Sequence, residues 1–106
     1  MTLNEYLAEG LRLFGSDRLQ WKFVCPVCHH VASADDYRKA GAPEGAVGYS
    51  CIGRYLSKDQ TRSAFNGKGA GPCDYTTGGL FNLSPVEITD HKAFFFDFAR
   101  DEFPPA

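Results

Sequence analysis

Cys25-Pro26-Val27-Cys28 sets two thiols two residues apart, a spacing from which one tight turn can aim both sulfurs at a single ion. The chain has two more cysteines, Cys51 and Cys73. Some 22 residues lie between Cys28 and Cys51 and 21 between Cys51 and Cys73, so the fold must carry the second pair to the first. Four sulfurs make a closed tetrahedral site of the kind that holds Zn2+ structurally, with no coordination position left for water. Two disulfides are the competing use of four thiols, and a reducing cytosol disfavours them. A Cys-x-x-Cys redox pair would leave Cys51 and Cys73 without a role. Neither His-Glu-x-x-His nor the upstream His-x-Glu of a zinc deaminase occurs. The expectation is a non-enzymatic zinc centre at Cys25, Cys28, Cys51 and Cys73.

His29 and His30 follow the second thiol directly. The residue after the second cysteine of such a turn needs a left-handed backbone so that its amide can point at a thiolate, and glycine is the usual occupant. His29 holds that position and tolerates the conformation better than most side chains. His30 is expected to pack or hydrogen-bond beside the site, with replacement of a cysteine as ligand the alternative.

The elements that must position these ligands can be read in order. Thr2-Leu3-Asn4-Glu5 is a capping box, and Leu3, Tyr6, Leu7, Leu11 and Phe14 recur at helical spacing up to Gly15. This helix covers a core or, alternatively, meets a partner; Gly10 inside it weakens it by roughly 1 kcal/mol relative to alanine. Residues Leu19 to Val24 predict a strand that feeds the cysteine turn, and Val31-Ala32 a short returning strand. Ser33 with Asp36 starts a second, brief helix over Ala34 to Ala40, stopped by Gly41 and Pro43. Val47 to Leu56 predicts a strand carrying Cys51, Cys73 to Thr77 another, and Leu80 to Leu83 a further extended piece. Val86 to Ala99 predicts a terminal hairpin. The fold class is α+β: a small zinc-ribbon-like antiparallel β domain with an N-terminal helix and a short second helix. A standard ribbon takes two ligands from each of two turns, whereas this chain offers one such turn.

The 106 residues fit one zinc-stabilised domain, residues 1–106, with a flexible glycine-rich loop at about 57–72 and a loose tail at about 100–106. Composition of 43% hydrophobic and 14% aromatic residues supplies a core and argues against disorder. A net charge of −2 argues against a general polyanion binder. The first 14 residues lack the charged start and apolar run of a secretory signal, and no run is long enough to span a bilayer. A cytoplasmic protein without membrane contact is expected.

The runs Trp21 to Ser33, Cys51-Ile52-Gly53-Arg54-Tyr55, Gly71-Pro72-Cys73-Asp74-Tyr75 and Gly79-Leu80-Phe81 resemble a family of small four-cysteine proteins encoded by bacteriophages and prophages. That family has glycine where this chain has His29. The resemblance implies action inside a bacterial host cell. By analogy with small phage accessory proteins, it implies binding and blocking of a host machine, including a defence or nucleic-acid-processing complex.

Two binding functions follow as expectations. The first is contact with a host protein or nucleoprotein complex through aromatic surface. In Phe94-Phe95-Phe96-Asp97-Phe98, Phe95 falls on the face opposite the core, either as a contact residue or covered by the N-terminal helix or the tail. The second is DNA or RNA binding through Arg54, Lys58, Arg62 and Lys68, in and beside the glycine-rich loop, with Tyr49, Tyr55 and Tyr75 available for stacking. A solvated loop whose charges confer solubility is the plain alternative for those cations.

Overall fold

The computed structural model describes residues 1–64, 67–69, 71–79 and 82–99. Helix α1 spans Leu3–Phe14 and begins at the capping box: Glu5 N–H donates to the Thr2 hydroxyl (3.2 Å) and Thr2 N–H to the Glu5 carboxylate (2.7 Å). It stops at Gly15, whose φ of 84° few side chains adopt and whose N–H donates to the Leu11 carbonyl. Strands β1 (Lys22–Val24) and β2 (Val31–Ser33) are antiparallel, with Phe23 opposite Ala32, and the cysteine turn joins them. Helix α2 (Ala34–Lys39) starts from a second capping box between Ser33 and Asp36. A hairpin of β3 (Val86–Ile88) and β4 (Ala93–Phe95) follows, and β5 (Asp97–Phe98) completes the first sheet in the order β2-β1-β5. The fold is α+β with antiparallel sheets, an N-terminal helix and a short second helix. Among the described residues no helix is long and apolar enough to cross a membrane.

Several predicted strands are shorter or absent. Arg18–Gln20 is a three-ten turn capped by the Asp17 carboxylate, which leaves only Lys22–Val24 of the strand expected from Leu19. The strand expected over Val47 to Leu56 is replaced by a turn over residues 47–49, an isolated bridge at Ser50 and the three-ten turn Ile52–Tyr55. A strand would carry Cys51 straight past the other thiols, whereas the turn that begins at Cys51 holds it over them. Cys73 to Thr77 makes only isolated bridges, Arg62 with Cys73 and Ser50 with Thr76. In the expected piece Leu80 to Leu83, residues 80 and 81 lie outside the described residues, and Asn82 and Leu83 form no strand. The terminal hairpin forms, but its second strand breaks at Phe96. There the N–H donates to the Gly48 carbonyl (2.7 Å) and the carbonyl accepts from the Tyr6 hydroxyl (2.7 Å), so Phe96 pairs with neither sheet. The break lets β4 pair with β3 and β5 with β1. The loop expected to be flexible contains residues 65, 66 and 70, and the expected loose tail consists of residues 100–106; all of these lie outside the described residues.

The core forms around Phe98, which is fully buried and lies 4.6 Å from the Tyr6 ring, 5.3 Å from Phe23, and 5.8 Å from both Phe14 and Trp21. The rings around it come from α1, from β1 and from Trp21 just before β1, so one side chain of β5 joins the helix to the sheet. Cys25, Cys51 and Cys73 belong to the same buried cluster. The N-terminus is tied to the hairpin as well: Met1 N–H3+ donates to the Glu87 carbonyl, Thr89 N–H to Met1 O, and Leu3 N–H to the Asp90 carboxylate. Leu11, expected on the apolar face of α1, is 53% exposed. Gly10 is buried instead, because the Trp21 ring lies flush against its backbone.

Two substitutions check this packing. Gly10→Ala gains about 1 kcal/mol of helix propensity, but its methyl would overlap the Trp21 ring, and overpacking of this kind costs about 1–3 kcal/mol. Thermal and urea denaturation are expected to show a less stable protein; a stabilised one would mean that Trp21 does not close over α1. Phe98→Ala is expected to cost about 3–5 kcal/mol.

Candidate metal centre

Three separate segments converge on one point. The turn between β1 and β2 supplies Cys25 and Cys28, the residue before the three-ten turn Ile52–Tyr55 supplies Cys51, and the segment that bridges Arg62 supplies Cys73. The four sulfurs all lie within 4.8 Å of one another. Two edges of the cluster, Cys25–Cys73 and Cys28–Cys51, measure 3.6 and 3.7 Å. A tetrahedron of thiolates about 2.3 Å from a central ion has sulfur–sulfur edges of about 3.8 Å. A disulfide needs about 2.05 Å, and all four cysteines are free. The donor set and its spacing therefore fit a metal ion and exclude the disulfide alternative in this structure.

Backbone hydrogen bonds shape each corner. Cys25 N–H donates to the His30 carbonyl (3.0 Å) and His29 N–H to the Cys25 carbonyl (2.9 Å), closing the turn on itself. His29 has φ of 63°, the left-handed conformation expected for it. The His29 amide itself meets the Cys25 carbonyl rather than a sulfur, and it is the backbone of the next residue, His30, that helps lower the Cys28 thiol. Val27 N–H faces the Cys25 sulfur and Tyr75 N–H the Cys73 sulfur, each at 3.4 Å. These N–H dipoles favour the thiolate form. Cys51 is held by its own N–H, which donates to the Tyr75 carbonyl at 2.8 Å.

The thiols also act on one another. Hydrogen bonding from Cys25 holds the Cys28 thiol well below the ordinary range, and the same contact with Cys25 pushes Cys51 far above it. Four sulfurs this close cannot all ionise without a cation among them, so a bound metal would take the place of the shared protons. Both histidine side chains are exposed, and neither belongs to the group of residues that could share one ion.

Gly53 is a positioning residue that ligand spacing does not disclose. Its backbone lies against the carbonyls of Pro72 and Cys73, and a Cβ there would overlap them. Only glycine lets the Cys51 turn approach the Cys73 segment this closely.

The residues proposed for partner contact are placed as follows. Arg54, Arg62 and Lys68 are exposed. Arg54 donates from Nη1 to the Asp74 carbonyl (2.9 Å), and the Arg62 backbone bridges both Gly69 and Cys73, so these two cations sit beside the Cys73 corner of the cluster. Lys68 joins the same loop through its carbonyl, which accepts from Ser63 N–H (2.8 Å), while Lys58 lies in the three-ten turn Lys58–Gln60. Phe95 lies apart from this loop. It is half-buried, stacked on Tyr6 of α1 at 5.7 Å and edge-on to Tyr49 at 6.2 Å. Tyr75 is buried against Phe96 and is not available to stack on a base.

A family model described as VVA0879-like matches residues 2–99, a span that includes all four cysteines. The chain belongs to the VVA0879-like family. No curated protein and no solved structure matched it. The VVA0879-like match spans both the cysteine cluster and the Phe98 core.

The centre makes two linked predictions. Cys25→Ser is expected to lose both the bound metal and the folded structure, because the ligand is also a core residue; an intact near-UV circular dichroism spectrum would show that the cluster does not hold the fold. Gly53→Ala keeps all four ligands yet is expected to weaken metal retention about tenfold or more, as judged by competition with a chromogenic chelator. The metal affinity of the unmutated chain and of Gly53→Ala should fall as the pH falls, since each proton bound by a thiolate removes a ligand.

Proposed function

We propose that this protein is a non-catalytic binding module whose Cys25, Cys28, Cys51 and Cys73 hold a structural Zn2+. We further propose that it acts in the bacterial cytoplasm by contacting a host protein or nucleoprotein complex, and so inhibits a host defence or nucleic-acid-processing machine. The observation that carries the first part is the four-sulfur cluster with edges near those of a zinc tetrathiolate. Soft thiolates select zinc over magnesium or calcium, and four protein ligands complete its coordination. Zinc there would stabilise the fold; activity then belongs to the surface that the cluster positions. The part concerning the host rests on the resemblance to phage and prophage proteins and on the acidic net charge of −2.

A second reading, nucleic-acid binding, is favoured by one specific observation: Arg54 and Arg62 are both exposed, and both meet the Cys73-Asp74 segment, Arg54 through its guanidinium on the Asp74 carbonyl and Arg62 through its backbone bridge to Cys73. The burial of Tyr75 removes one of the three stacking rings on which that reading drew. It therefore ranks below protein contact.

Elemental analysis of the purified full chain is expected to find one zinc per molecule, and a chelator should unfold it. Retention experiments with bacterial lysate should compare the full chain with Arg54→Glu/Lys68→Glu, a variant expected to keep its metal. A defined host complex held by the first and lost by the second supports the proposed contact; equal recovery by both would remove that surface from it. Titration with single- and double-stranded DNA and RNA at low salt tests the second reading, because electrostatic binding is strongest there. Absence of any shift would eliminate it.

A further inference from the structure

The four cysteines are not equally placed. Cys25, Cys51 and Cys73 are 1%, 1% and 0% exposed, whereas Cys28 is only partly buried. The residues that follow it, His29 and His30, are exposed, so this corner of the cluster faces outward. Behind Cys28 lies the sulfur of Cys51, 3.7 Å away, while Cys25 and Cys73 meet each other at 3.6 Å. Thiolate character and access together decide which sulfur a peroxide oxidises. Where four sulfurs share one ion, access is what separates them.

We propose that Cys28 is an oxidative modification site: a hydroperoxide oxidises it before the other three cysteines, and Cys51 then resolves the product to a Cys28–Cys51 disulfide. In the first step the Cys28 sulfur attacks one peroxide oxygen; an S–O bond forms, the O–O bond breaks, and the second oxygen leaves as water. In the second step the Cys51 sulfur attacks the Cys28 sulfur; the S–S bond forms, the S–O bond breaks, and that oxygen also leaves as water. The two sulfurs lose two electrons, which the peroxide gains. With both sulfurs starting as thiolates, two protons are drawn from the solvent. The sulfurs must close from 3.7 Å to about 2.05 Å, a movement that withdraws two of the four donors from the centre. Loss of the ion rests on the zinc reading, whereas the order of oxidation rests on burial. The consequence reaches the surface. Cys51 begins the turn Ile52–Tyr55, and Arg54 in that turn is anchored on the carbonyl of Asp74, next to Cys73. Pulling Cys51 toward Cys28 strains that anchor, so oxidation would disturb the cationic surface as well as the buried cluster.

Hydrogen peroxide added to the unmutated full chain tests this, with the sulfenic-acid trap dimedone present in one arm and absent in the other. With the trap, peptide mass spectrometry is expected to find the adduct on Cys28 at about tenfold or more above each of the other cysteines. Without it, the first disulfide mapped is expected to join Cys28 to Cys51, one zinc should reach a chromogenic chelator for each disulfide formed, and a dithiol reductant with added zinc should restore the near-UV circular dichroism spectrum. Adducts spread evenly over the four cysteines, or formed first on a buried one, would overturn the proposal, as would a chain that resists excess peroxide. A first disulfide from Cys28 to Cys25 or Cys73 would overturn the assignment of Cys51. Elemental analysis beforehand separates the two readings. A chain without metal defeats the zinc reading while the order of oxidation still decides the modification site; a zinc-loaded chain oxidised in no order defeats this proposal and leaves the zinc reading standing.

Discussion

The convergence of four sulfurs from three distant segments is the constraint on which this structure depends. Cys25, Cys51 and Cys73 are buried inside the hydrophobic cluster, so their electrostatic state is also a core-packing problem. As neutral thiols they offer only weak hydrogen bonds, and as thiolates they repel one another in a poorly hydrated space. A cation at their centre removes both difficulties. In small zinc peptides such binding contributes on the order of 10 kcal/mol, comparable to the whole stability of a domain of this size. The glycine at position 53 and the left-handed His29 are backbone adjustments that serve this convergence.

Around the cluster, the aromatic core uses few and short elements efficiently. Among the described residues no strand exceeds three residues, so hydrogen-bonded ladders alone would hold little. Phe98 compensates by touching rings from α1, β1 and the segment leading into β1, and the Tyr6 hydroxyl ties α1 to the bend at Phe96. That bend is what allows consecutive residues to serve two sheets. The metal centre and the aromatic cluster are therefore one cooperative unit, and disturbance of either should be felt by both.

On the proposed reading, function belongs to the surface that the cluster positions. A closed tetrathiolate has no vacant position for a reacting molecule, whereas the Cys73 corner presents the Arg54 guanidinium, anchored on the Asp74 carbonyl, and α1 borders an apolar groove. These surfaces have different chemistry. The first is polar and positively charged, whereas the second is lined mostly by apolar side chains.

The local signals in the sequence were strong where a few neighbouring residues decide the outcome. Thr2 with Glu5 and Ser33 with Asp36 set both helix starts, Gly15 and Gly41 their ends, and Cys25 to His30 a turn whose left-handed residue is His29, because capping and turn geometry are satisfied within four or five residues. The identity of the four candidate ligands was equally legible, since the chain has no other cysteines. What only tertiary structure decided was the path between them. Val47 to Leu56 and Cys73 to Thr77 carry strand-like composition, yet they turn because Cys51 and Cys73 must meet at one point and Gly53 alone lets their backbones touch. Likewise, alternation along Phe94 to Phe98 could not reveal that Phe96 would give its backbone to Gly48 and Tyr6, or that Phe95 would lie against Tyr6. Each of those outcomes depends on contacts made across more than 40 residues of sequence, and periodicity carries no information about partners at that distance.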